Sequence, residues 1–212
     1  MKTKIRLKIC GLRSPENAGI VLPFHPDYIG FIFYKKSPRY VGDDHRWIRH
    51  LDLEGSVQKV GVFVNEPVEK IEEICRQTGI NIVQLHGREK PENCAKLREK
   101  DFQVIKVFPV SDNFSFDVIE EYTASVDYFL FDASGKYLGG NGIPFDWSLL
   151  EKYPLQVPFF LSGGIGPENI GNVYFLDHPE LFAVDVNSRL ESGPGIKDAG
   201  LLKEFMKEFE KI

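Results

Sequence analysis

The chain has 212 residues, a length that fits one domain or two small ones and hides roughly 70% of its unfolded surface. Hydrophobic residues make up 42% and charged residues 27%, which excludes a disordered chain, and no apolar run reaches the ~18 residues of a spanning helix. The formal net charge of −5 gives no support for broad binding to nucleic acid or to an anionic membrane, but leaves room for a local positive pocket for one anionic metabolite.

The opening MKTKIRLKICG carries charges without an apolar segment of about 7–15 residues behind them, so it does not read as a signal peptide. Cys10, Cys75 and Cys94 form an odd, sparse set, which suggests free thiols in a reducing, cytoplasmic setting. Neither a CxxC pair nor a His/Cys spacing suggests a metal site.

Apolar, β-rich stretches alternate with helical ones along the chain. Strands are expected over 4–10, 28–33, 57–64, 81–85, 103–108, 126–131, 157–162 and 181–186. Ser14-Pro15-Glu16 reads as an N-cap with proline at the first helical position, and Pro67, Pro91 and Pro167 are expected to open helices in the same way. The region 15–27 holds two prolines and looks short for a helix. Residues 67–78 place Val68, Ile71, Ile74 and Cys75 on one face, and 197–212 do the same with Leu201, Leu202, Phe205 and Phe209. Eight strand–helix repeats point to a single-domain α/β protein, a (β/α)8 TIM barrel over residues 1–212. The rival, an open doubly wound sheet, lacks the GxGxxG turn after its first strand. The glycine-rich segment 133–145 is long for a connection and reads as a functional loop.

In such a barrel the chemistry belongs at the C-terminal strand ends. Cys10 stands there, and as thiolate it can take a proton; its alternative role is a small buried hydrophobe. Lys8, two residues earlier, points to the same face, and its ammonium would favour the thiolate. Asp132 follows an apolar run, where it is a general acid or else a helix cap or a partner for Lys8 or Lys106. Gly163 and Gly164, ahead of Pro167, let the backbone approach an anion, and Asp185, Asn187 and Ser188 after the eighth strand complete that cradle. Arg39 could grip a carboxylate with two prongs or lie solvated. His86 is either structural or a base, and Asn65 is expected to cap the helix near Pro67.

These positions lie in motifs that together resemble the phosphoribosylanthranilate isomerase family. They are Lys8-Ile-Cys-Gly11, Gly30-Phe-Ile-Phe-Tyr34, Ser37-Pro-Arg-Tyr40, Val60-Gly-Val-Phe-Val-Asn65, Gln84-Leu-His-Gly87 and Leu130-Phe-Asp132. Gly139-Gly-Asn-Gly142, Phe145-Asp-Trp147, Leu161-Ser-Gly-Gly164, Asp185-Val-Asn-Ser188, Gly193-Pro-Gly195 and Lys197-Asp198 follow in the same order. The resemblance implies a cofactor-free Amadori rearrangement of a small phosphosugar substrate in tryptophan biosynthesis, carried out by a protein most often monomeric. It implies Cys10 as general base, Asp132 as general acid, Arg39 on the anthranilate carboxylate, and Gly163, Gly164 and 185–188 on the phosphate. Where the family commonly has Ser-Ser-Gly, this chain has Asn187-Ser188-Arg189.

Other readings remain at this stage. The histidine-pathway aminoaldose isomerase would end its first strand in aspartate and show two related halves. Indole-glycerol-phosphate synthase needs a lysine acid with glutamate partners, for which Lys8 alone is thin support. A metal-dependent epimerase needs a His/Asp cluster that is not apparent. A catalytically silent phosphosugar-binding barrel needs neither an acid nor a base.

Overall fold

The computed structural model describes residues 4–53, 55–111, 113–133 and 147–212. Eight parallel strands close into a barrel in chain order: β1 (Arg6–Ile9), β2 (Tyr28–Ile32), β3 (Gln58–Phe63), β4 (Ile82–Leu85), β5 (Gln103–Val110), β6 (Tyr128–Ala133), β7 (Phe159–Ser162) and β8 (Leu181–Val186). The ring closes where β1 pairs with both neighbours, Lys8 standing opposite Tyr28 on one side and Asp185 on the other. All eight expected strands are present; β8 keeps its expected bounds and the others are trimmed or extended by up to two residues at an end.

Both faces of a closed parallel sheet are covered, so its strands read as apolar runs whose alternate residues serve two cores. The smaller core fills the barrel with Tyr28, Val60, Ile82, Ile105, Val107, Leu130, Phe160 and Ala183. The larger lies between the sheet and the outer layer and takes residues of opposite parity, such as Leu7, Ile9, Phe129 and Phe131.

Helix α1 (Pro15–Val21) starts as expected, with the Ser14 hydroxyl accepting from the Asn17 N–H at 3.3 Å. Helix α2 (Val68–Thr78) buries Val68, Ile71, Ile74 and Cys75 and stops at Gly79. Helix α3 (Pro91–Arg98) has proline in its first turn, and α4 (Ala199–Phe209) packs Leu202, Phe205 and Phe209 inward.

The other crossovers differ from expectation. Among the described residues those after β2, β5, β6 and β7 carry 3-10 turns, at 46–50, 116–122, 147–152 and 170–175. Pro167 therefore opens no α-helix. The run Ile170-Gly-Asn-Val-Tyr-Phe175 combines glycine, asparagine, β-branched and aromatic residues, all weaker helix formers than alanine. Pro67 sits at the N-cap of α2 rather than inside its first turn. The chain end also differs, since Lys197 belongs to a short antiparallel hairpin, β9 (Glu191–Gly193) with β10 (Ile196–Lys197), and α4 begins only after Asp198 caps it.

Candidate active site

A cavity opens at the C-terminal mouth of the barrel, walled by residues of both the strand ends and the loops after them. Cys10, Arg39, Gln84, His86, Asp132, Gly163, Gly164, Asp185, Asn187 and Ser188 all line it. Every site residue expected from the sequence is therefore on this wall, except Lys8, which lies beneath it. The glycine-rich segment lies outside the described residues apart from Ala133, as do Gly139–Gly142, Phe145 and Asp146.

The floor is an ion pair. Lys8 Nζ donates to Asp185 Oδ1 at 2.8 Å, with both side chains almost fully buried. Alternation along β1 and β8 turns both into the barrel, and the Lys8–Asp185 register places them level. The sequence reading put Asp185 in the anion cradle, whereas here its carboxylate turns down to neutralise Lys8. Burial pushes the Asp185 carboxyl up and Lys8 pulls it back, with the charge of Asp132 raising it further.

Cys10 stands above Lys8. Gly30 on the neighbouring strand leaves the room for its thiol, because a Cβ there would come within 2.5 Å of Sγ. Burial pushes the Cys10 thiol above its ordinary value, while the nearby charges of Lys8 and Lys197 pull it down without winning. Lys8 alone thus does not make the resting thiolate that the sequence suggested.

Across the cavity, His86 Nε2 lies 3.5 Å from Asp132 Oδ2, both partly buried. The Gln84 amide nitrogen lies 3.3 Å from His86 Nδ1, the ring nitrogen away from Asp132. Asn65, expected to cap α2, instead has a left-handed backbone, and its Oδ1 accepts from the Arg88 N–H at 2.7 Å. Beneath that loop, buried Lys106 donates to Glu89 at 2.9 Å and to the Gly87 carbonyl at 2.9 Å, bracing the segment that carries His86.

Arg39 is held by a partner the sequence did not reveal. Its Nε lies 3.0 Å from both Glu191 oxygens, and Nη2 donates to Oε2 at 2.8 Å. Lys197 Nζ reaches Glu191 Oε1 at 2.9 Å, Asn187 Oδ1 at 2.9 Å and the Asn187 carbonyl at 3.0 Å. Burial pushes the Glu191 carboxyl up, but the bonds from Arg39 and the charge of Lys197 outweigh it and hold it below its usual range. The only sequence signal was the pattern of a short hairpin, Glu191-Ser-Gly-Pro-Gly-Ile-Lys197, with two charges flanking a Pro-Gly turn.

The opposite wall is backbone. Gly163 and Gly164 have φ of 97° and 68°, a left-handed conformation that turns the chain sharply beside the cavity with no side chain in the way. Asn169 braces this turn, accepting from the Gly166 N–H and donating to the Gly164 carbonyl, each at 2.8 Å. Ser188 opens the 3-10 turn 188–190 facing it. Arg189 leans to the outside, where it meets Glu168 at 3.3 Å with both side chains about half exposed.

Comparison with known proteins decides the family. The model of the N-(5'-phosphoribosyl)anthranilate (PRA) isomerase family matches residues 7–208. The chain belongs to this family. A relative of that name from Parabacteroides distasonis is 41% identical over 203 residues, covering 95% of this chain and 92% of the relative. The phosphoribosyl anthranilate isomerase of Thermotoga maritima superposes with a TM-score of 0.87 at 38% identity, covering 98% of this chain and 100% of that one; the enzyme is described as dimeric. A further crystal structure of such an isomerase, bound to reduced 1-(o-carboxyphenylamino)-1-deoxyribulose 5-phosphate, has a TM-score of 0.82 at 36% identity over 98% of this chain and all of the other. The PRA isomerases are aldose–ketose isomerases, and this chain shares their barrel and their class of reaction. Among the described residues no helix is long and apolar enough to cross a membrane.

Proposed function

We propose that this chain, as a single barrel domain, converts N-(5'-phosphoribosyl)anthranilate to 1-(2-carboxyphenylamino)-1-deoxyribulose 5-phosphate, with Cys10 as general base and Asp132 as general acid. One observation carries the reading. A thiol just past the end of β1 and a carboxylate on β6, three strands away round the ring, line one cavity together with an arginine and a glycine turn.

Protonated Asp132 gives its proton to the ring oxygen of the sugar. The C1–O bond breaks, its electron pair stays on that oxygen, and the nitrogen lone pair forms a C1=N bond. The resulting cation lies beside Cys10 and adds to the pull of Lys8 and Lys197, so the thiol that rests protonated gives its proton to solvent water when the substrate opens. The thiolate removes the proton from C2, and that electron pair forms C1=C2 and neutralises the nitrogen. The enolamine then takes a proton from solvent water at C1, in place of the one the thiol released, and loses its O2 proton to Asp132, which leaves the ketone and restores the acid. His86, 3.5 Å from Asp132, orients its carboxyl group toward the cavity. Each positioned acid or base supplies about 10²–10⁴-fold.

Arg39 takes the anthranilate carboxylate. Gly163, Gly164, Asn187 and Ser188 take the phosphate through backbone N–H groups and the Ser188 hydroxyl, while Asp185 acts from below by fixing Lys8. Anion grips at both ends position the sugar between acid and base, an effect worth several kcal/mol. The chain is proposed to act as a monomer, and sedimentation equilibrium tests that point.

The reaction is tested by turnover of freshly generated phosphoribosylanthranilate, followed as loss of its fluorescence. Cys10→Ala and Asp132→Asn are each expected to lower kcat about 10³-fold with little change in KM. No turnover by the intact chain would sink the activity. Turnover that survives Cys10→Ala would move the base elsewhere.

A further inference from the structure

The network behind Arg39 carries more positive than negative charge. Arg39 and Glu191 alone would be a neutral pair, 11% and 2% exposed, offering little to an incoming anion. Lys197 changes that. Its ammonium is fully buried on β10, outside the residues that line the cavity, and its three protons face three oxygens, one on Glu191 and two on Asn187. Two cations therefore share one carboxylate, and one positive charge is left over in a largely dry place. Lys8 contributes nothing to this excess, since Asp185 cancels it.

A buried charge without a partner is costly, and an anion that meets it is bound the more strongly. The excess meets the cavity at Arg39, whose Nε–Nη2 edge is occupied by Glu191 and whose other edge has no hydrogen-bond partner among the described residues, and at Asn187 beside it. We propose that Lys197 is a specificity-determining residue which, without touching substrate, keeps the Arg39 end of the cavity cationic and so selects a substrate bearing a carboxylate on its aromatic amine. This rests on the reaction proposed above and deepens it. Burial pulls the Lys197 ammonium down, and Glu191 only partly offsets this. The Asn187 side chain supplies one of the oxygens that fix it.

Lys197 also acts on Cys10, so the test avoids turnover and measures binding alone. The probes are the reduced product analogue, 1-(2-carboxyphenylamino)-1-deoxyribulose 5-phosphate with its ketone reduced, and the same compound with a plain phenyl ring. Lys197→Met is expected to weaken the carboxylated probe about 10-fold and the phenyl probe less than twofold, with Lys197→Arg restoring most of the preference. Equal weakening of both probes would reduce Lys197 to a structural prop and overturn the proposal, as would no change in either. Should Lys197→Met fail to fold, Glu191→Gln decides. It raises the excess charge, so the preference for the carboxylated probe should hold or grow, and a collapse would overturn the proposal. Absence of turnover in the intact protein would count against the reaction and not against this preference, which the two probes report directly.

Discussion

The two ends of the barrel interior are built from the same strands and do opposite work. At the N-terminal end Tyr28, Ile82, Leu130, Phe160 and Ala183 close the barrel with apolar and aromatic contacts, and Arg6 caps them with a 2.9 Å bond to the Tyr28 hydroxyl. Two residues further along, about 6.6 Å, the same faces become polar. Ala183 gives way to Asp185, Ile82 to Gln84, Leu130 to Asp132, and Arg6 to Lys8 and then Cys10. The lower end supplies stability through packing, and the upper end holds buried charge that packing alone would reject. The strands thus separate the two tasks along their length, which lets the mouth carry a raised thiol and a buried ion pair without loosening the sheet.

That contrast breaks if a change at one end behaves like a change at the other. Phe160→Ala removes a ring that touches Tyr28, Tyr128 and Phe182 and should cost about 3–5 kcal/mol in urea unfolding, with kcat per folded molecule unaltered. Asp132→Asn should do the reverse, losing turnover while its unfolding midpoint stays within about 1 kcal/mol of the parent. A Phe160→Ala protein that folds fully but turns over slowly would show that the lower plug also sets the geometry of the mouth.

Lys8→Met sharpens the comparison from the boundary between the two ends. It strands the Asp185 carboxylate, and breaking such a pair costs about 3–5 kcal/mol. Lys8→Met with Asp185→Leu should recover most of that stability in the same unfolding assay, yet leave activity low, because Cys10 loses its neighbouring cation. Recovery of activity together with stability would show the pair to be packing only.

The lower end was the more legible of the two. Eight apolar runs at regular intervals dictate the strands, and the step to Cys10, Asp132 and the glycines at the strand ends marks the mouth. Charges that bind each other rather than the cavity were hidden. Glu191 and Lys197 lie in a short polar stretch that looks solvated in sequence, and the hairpin that folds them under Arg39 depends on contacts between residues 152 apart. Lys106 and Glu89 were hidden for the same reason, their partnership running between a strand and the loop before α3. The 3-10 crossovers escaped because apolar periodicity reports which face is buried, not how tightly the backbone winds.

A pH series separates the outer core from the interior. Burial pushes Cys75 to about 12 and Cys94 to about 11, both between sheet and helices, whereas in the unfolded chain such thiols ionise near ~8.5. The folded state then binds more protons than the unfolded one. Stability from these groups is complete below ~8.5 and drains away as pH climbs toward the folded values, by about 1.4 kcal/mol per unit for each thiol. Urea midpoints between pH 8 and 10.5 should fall accordingly, and a flat profile would mean these thiols are not shielded. Cys10 shares the upward direction but lines the cavity, so a small alkylating reagent should reach it first in the folded protein.

The smallest expected effect concerns Arg189, which stands where the sequence resemblance leads one to expect a glycine. An arginine beside an anion cradle invites the idea that it binds the phosphate, and on that idea Arg189→Gly would weaken substrate about 10-fold or more. The geometry argues otherwise. Arg189 meets Glu168 at 3.3 Å with 43% and 54% of the two side chains exposed, and an ion pair in that setting contributes at most ~1 kcal/mol. Its backbone lies in a right-handed 3-10 turn, so glycine is not required there for conformational reasons and its introduction removes no strain. Arg189→Gly should therefore change KM less than about threefold and stability by about 0.5 kcal/mol or less, read from steady-state kinetics and urea unfolding. A tenfold rise in KM at constant kcat would place the guanidinium on the phosphate after all, and would move one cation from the outer surface of the barrel into the polar end of its interior.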